Sequence, residues 1–61
     1  MKHTYKIIVK KVSENYILGI YFVAAENFEE AEFLGWKKAK NDLHNTWTLN
    51  HDSHFFIYQI D

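Results

Sequence analysis

The chain has no cysteine, no proline and no arginine, and only two glycines. Without cysteine there is no disulfide to supplement a small core, and no thiolate for a metal site. Without proline, and with so little glycine, the chain does not read as a linker or a disordered tail. The missing arginine removes the usual residue for bidentate contacts to phosphates and base edges. Charge of one sign is also scarce: seven lysines against eight carboxylates leave a net charge of −1 with the histidines neutral. That balance takes away the simple electrostatic case for nucleic acid, and equally the case for an acidic mimic of it. Long apolar runs are absent as well. No stretch approaches the roughly 20 apolar residues of a membrane-spanning helix. Met1-Lys2-His3-Thr4 leads into an alternating segment, not into the apolar centre of a signal peptide. The expectation is a cytoplasmic protein without membrane contact.

What the chain has instead is rings. Aromatics make up 18% of the 61 residues, and large rings bury much area for each residue ordered. That matters in a chain of this length, which forms one domain (1–61) and buries only about 60% of its unfolded surface.

Asn27 to Lys40 is the one segment that reads as a helix. Asn27 is a good N-cap, and Glu30 three residues on completes a variant of the capping box. Glu29, Glu30 and Glu32 fall in the first turns and Lys37, Lys38 and Lys40 in the last, which complements the helix dipole. Asn41 is a suitable left-handed stop. Phe28, Ala31, Gly35 and Ala39 form one stripe at helical spacing, the natural face for a sheet. Phe33, Leu34 and Trp36 lie off that stripe, more apolar surface than a single sheet covers.

His3 to Val12 alternates as a half-buried strand does, with Tyr5, Ile7 and Val9 on one side and Lys6, Ile8 and Lys10 on the other. Ser13-Glu14-Asn15 is a turn. Tyr16 to Ala24 is a second strand, apolar on both sides. Pairing Val12 with Ile17 gathers Leu18, Ile20, Phe22 and Ala24 beside Tyr5, Ile7 and Val9, the most apolar face available, and this predicts the helix side. After the helix, Thr46-Trp47-Thr48-Leu49 alternates again, Asn50-His51-Asp52-Ser53 is a turn cluster, and His54 to Ile60 is a strand. A hairpin with Leu49 opposite His54 puts Trp47, Leu49, Phe56, Tyr58 and Ile60 on the core face. The predicted fold is α+β: an antiparallel sheet of three or four strands with one helix on one face, ββαββ or ββαβ.

No catalytic signature is present. Gly19 and Gly35 stand alone, so no glycine-rich loop cradles phosphate. Ser13 and Ser53 sit in no nucleophile elbow, and the helix glutamates read as a solvated first turn rather than as paired catalytic carboxylates. His44, His51 and His54 lie near Asp42 and Asp52 in sequence, but their spacing matches no zinc framework and suits a polar turn. No cofactor and no metal is expected, and the chain is not expected to be an enzyme.

The predicted open side of the sheet carries Ile8, Tyr21, Val23, Phe55 and Ile57, an apolar surface with nothing to cover it. Together with Phe33 and Trp36 these are the candidate partner-binding residues, for a protein partner or for a second copy in a homodimer. Lys6, Lys10, Tyr21 and Phe55 on the same side are the candidates for an alternative, binding of a single nucleic-acid strand.

One element carries a resemblance. Ala24-Ala25-Glu26-Asn27-Phe28-Glu29-Glu30-Ala31, running on to Trp36, ends a strand, caps a helix, and follows with an acidic pair, alanine and an aromatic. It resembles the strand-to-helix joint of very small phage and prophage proteins, among them a coliphage inhibitor of host RNA polymerase with a similar helix against a three-stranded sheet. The resemblance covers about a fifth of the chain. It implies a phage protein of the host cytoplasm that binds and modulates a host protein. It assigns no contact residue.

Overall fold

The computed structural model describes residues 1–61. It is an α+β domain with elements in the order β1 (His3–Lys11), β2 (Tyr16–Ala25), α1 (Phe28–Leu43), α2 (Thr46–His51) and β3 (Ser53–Gln59). The three strands form one antiparallel sheet in the order β2-β1-β3, and α1 packs on one face of it.

The central strand decides the core. Tyr5, Ile7 and Val9 alternate inward and are almost fully buried, and they meet the small-residue stripe Ala31, Gly35 and Ala39 of α1. Gly35 lets the two elements close. A Cβ there would fall against Cδ1 of Ile7 and within 3.2 and 3.3 Å of its Cγ2 and Cγ1.

The helix begins where the cap residues say. The Glu30 amide donates to Oδ1 of Asn27 at 2.8 Å, and Oε1 of Glu30 accepts from the Glu26 amide at 2.9 Å. It does not stop at Asn41. It runs to Leu43, and His44 takes the left-handed conformation (φ 55°), its amide donating to the Lys40 carbonyl. The reason is the stripe itself, because Leu43 continues the spacing of Ala31, Gly35 and Ala39 and packs on the core.

Thr46–His51 is a short helix, not a strand. Asn45 caps it, its side chain accepting from the Thr48 amide at 3.1 Å. Neighbouring Thr48 and Leu49 both turn inward while Trp47 is left outside, 65% exposed, near the ring of His51 one turn on. Four alternating residues are too few to separate the two periods, and the Asn45 cap was the better signal.

Both pairings differ in register from the sequence expectation. Tyr5 lies opposite Val23, Ile7 opposite Tyr21 and Val9 opposite Gly19, after which a bulge at Val9/Lys10 puts Lys10 opposite Ile17 and leaves Leu18 as the extra residue. On the other side Tyr5 faces Gln59, Ile7 faces Ile57 and Val9 faces Phe55. The helix side therefore takes Gly19, Tyr21, Val23, Ala25, Phe55 and Ile57. Ile20, Phe22, Phe56, Tyr58 and Ile60 are not in the core.

Tyr21 shows why Gly19 is there. Its ring lies over the glycine, where a Cβ would meet the ring carbons at 2.8 and 2.9 Å, and its hydroxyl reaches α1 to donate to Asp42 at 2.7 Å. Burial first, and then the bond to Asp42, push the Tyr21 phenol up to about 12. The unfolded chain loses this proton near pH 10, so the stability it contributes is full below that pH. It is lost as pH rises toward about 12. A late phenolate step in an ultraviolet absorbance titration that disappears in Tyr21→Phe is the expected result.

Asp52 ties the β1–β2 turn to the start of β3. Its carboxylate accepts from the Ser13 amide at 2.9 Å and from the Ser13 hydroxyl, while its own carbonyl accepts from the Val12 amide. These bonds, the hydroxyl's first, hold the Asp52 carboxyl below the usual aspartate range, with the Lys11 charge adding to them. The stability gained is present above the ordinary value near 3.9 and fades as pH falls through the lowered one. In acid titrations followed by circular dichroism, Asp52→Asn should be the less stable protein at neutral pH. The gap should narrow as the wild type loses its own bond in acid.

Candidate functional site

The sheet has two faces and α1 covers one. The other face is built row by row from cross-strand neighbours. Lys6 lies between Phe22 and Tyr58, Ile8 between Ile20 and Phe56, and Lys10 between Ile17 and His54. Ile60 extends the ladder, its amide donating to the Thr4 carbonyl at 2.9 Å. No element covers this surface: Phe22 is 52%, Tyr58 50% and Phe56 38% exposed. Half-exposed side chains of this size on one sheet face make an apolar patch, interrupted by Lys6 and Lys10, of the kind that marks an interaction site.

Its charge is one-sided. None of the three strands contains an aspartate or glutamate, and Lys6 and Lys10 form no ion pair within the chain. Both lysines stand on the central strand, so the positive charge runs down the middle of the face. Three rings line one flank: His54, Phe56 and Tyr58 follow one another at alternate positions of β3, with His54 and Phe56 4.6 Å apart between centroids. Lys10 holds its ammonium 6.0 Å from the centre of the Phe56 ring. Phe22 stands on the opposite flank.

Of the residues expected on the open face, Ile8 is there, and so are Lys6 and Lys10. Tyr21, Val23, Phe55 and Ile57 are not; they pack on the helix side. Their places are taken by Ile20, Phe22, Phe56 and Tyr58, one position along. The sequence did carry a signal for this. Gly19 gives the Tyr21 ring room to lie over the strand, and only on the helix side does the Tyr21 hydroxyl meet Asp42 of α1. Filling the core with the largest apolar set ignored that pairing.

Phe33 and Trp36 sit elsewhere, on α1, and the structure brings them together with Phe55. With Glu29, Glu32, Leu49, Ser53 and His54 they line an open cleft of about 560 Å³ beside β3, where the helix leans toward β2. Phe33 is exposed and Trp36 half-buried. The ammonium groups of Lys37 and Lys40 already lie over these two rings, at 5.4 and 5.1 Å.

His44 and the aspartates of this cluster are each taken up separately by structure. His44 caps α1, Asp42 holds Tyr21, Asp52 holds Ser13, and no group of three or more such ligands is placed to hold a metal ion. No helix is long and apolar enough to cross a membrane. Comparison with known proteins gives no match, whether to family models, to curated proteins or to solved structures.

Proposed function

We propose that the chain is a small non-enzymatic interaction module and that its working surface is the open face of the sheet. The observation that carries this is the uncovered patch of Ile8, Ile17, Ile20, Phe22, Phe56 and Tyr58, held out to solvent on a sheet whose other face packs on α1. A domain marginal in size gains nothing for its own fold by exposing such residues.

The resemblance of the strand-to-helix joint to small phage and prophage proteins supports a protein partner, in the manner of a phage protein that modulates a host protein in the cytoplasm. The isoleucines of the face suit such a partner. A second reading, binding of a single nucleic-acid strand, is favoured by the rings of β3 standing beside the two unpaired lysines.

The test of the module is a pair of surface variants, Ile20→Thr and Phe22→Ser, compared with the wild type by thermal unfolding and by sedimentation over a wide concentration range. The proposal expects both variants to fold and to lose whatever association the wild type shows. If either unfolds at room temperature, the face belongs to the core and the proposal fails.

A further inference from the structure

We infer that the open face takes single-stranded nucleic acid. The inference rests on that face being the working surface, and it settles on one ligand class from how the charges and rings are arranged.

The first step removes a second copy. Two sheets packed face to face lie about 10 Å apart. Such packing would cover Lys6 and Lys10 of both chains at the centre of the contact, where lysine is depleted in real interfaces. No strand carries a carboxylate to receive them, and an unpaired buried charge is strongly unfavourable. The occupant must bring negative charge to the midline of the face, not to its rim.

The second step concerns the rings. His54, Phe56 and Tyr58 repeat every second residue on β3, with the His54 and Phe56 rings tilted together at 4.6 Å between centroids and Tyr58 further along the strand. The lysines lie on the adjacent strand, with Lys6 beside Tyr58 and Lys10 beside His54. A chain with one anionic group per unit and a flat π surface per unit matches this pattern: phosphates follow β1 while bases stack on β3. Stacking tolerates any base, because every base has a π face. An open sheet with exposed rings is also the platform on which unpaired bases are recognised. An acidic protein surface would satisfy the lysines and pack on the rings, but it does not repeat one anionic group and one flat π surface per unit.

The experiment is fluorescence anisotropy with a labelled oligothymidylate of roughly eight nucleotides, inside the usual site size of ~4–16, beside a duplex of equal length. The single strand is expected to bind better than the duplex. With two lysines on phosphates, log K should fall against log salt with a slope of about −1.4 between roughly 50 and 200 mM. Lys6→Gln or Lys10→Gln should flatten that slope by about 0.7 each. Phe56→Leu and Tyr58→Leu keep the face apolar but remove a ring, and each should weaken binding about fivefold or more. Phe33→Leu, on the helix, should change nothing.

Equal binding of the duplex, or leucine variants that bind as well as the wild type, would overturn the inference, since neither is compatible with stacking. No binding of either oligonucleotide also overturns it. If Ile20→Thr and Phe22→Ser then still abolish association with a protein or with a second copy, the open face remains the working surface and only its ligand class was wrong.

Discussion

Gly35→Val is expected to destabilise the domain by about 3 kcal/mol or more. A chain of this size holds roughly 3–9 kcal/mol in total. The position is tight because Gly35 faces Ile7 at the centre of the sheet, and Ile7 is fully buried with no free space to retreat into. Gly35→Ala is the finer probe. Alanine gains about 1 kcal/mol of helix propensity over glycine, yet here its methyl meets Cδ1 of Ile7, and overpacking of this kind costs about 1–3 kcal/mol. A net loss near 1 kcal/mol is expected. Ile7→Val removes that same Cδ1 and alone costs about 0.5–1.5 kcal/mol. Combined, the alanine methyl occupies the space the isoleucine gives up, and the double variant should come within about 0.5 kcal/mol of the wild type. Urea unfolding followed by tryptophan fluorescence measures all three. If Gly35→Ala alone raises the midpoint, or the two losses simply add, helix and sheet do not approach as closely as Ile7 and Gly35 require.

The helix and its inward stripe were legible because they rest on local chemistry. The Asn27 cap, the acidic first turn and the spacing of Ala31, Gly35 and Ala39 are all found within one short stretch. The left-handed stop was missed for an instructive reason: Asn41 is a permissible ending, but Leu43 had an apolar contact to make, and packing outweighed preference. The third strand was found with its flank misassigned. The hairpin drawn for it with Thr46–Leu49 does not exist, and its register comes from pairing with β1, far away in sequence. Nothing within His54 to Ile60 tells which side faces in, since Phe55 and Ile57 are as apolar as Phe56 and Tyr58. In β2 the larger apolar set, Ile17, Ile20 and Phe22, lies on the open face, so the rule of greatest burial points to the wrong side. A face kept apolar against solvent conflicts with the rule that large apolar residues go inside, and such conflicts are expected at functional surfaces.

The register itself can be read out by charge. Val23→Asp should unfold the protein, with a loss above about 3 kcal/mol, because it places an unpaired carboxylate where the side chain is only 6% exposed, against Tyr5 and the helix. Phe22→Asp, its immediate neighbour, points to solvent on an edge strand and should lose no more than about 1 kcal/mol, the span of strand propensity. β3 should repeat the contrast: Ile57→Asp disruptive beside Ile7, Phe56→Asp mild beside Ile8. The register expected from sequence predicts the opposite order at every one of these positions, with Phe22 and Phe56 inside and Val23 and Ile57 outside. Four urea midpoints therefore decide between the two faces. A strongly disruptive Phe22→Asp paired with a harmless Val23→Asp would move the lysine midline to the neighbourhood of Tyr21 and Phe55, and the ring file of β3 would then belong to the core. With the order expected here, the residues that tolerate charge are also the ones whose rings the oligonucleotide should need, which separates what the sheet uses to fold from what it holds out to bind.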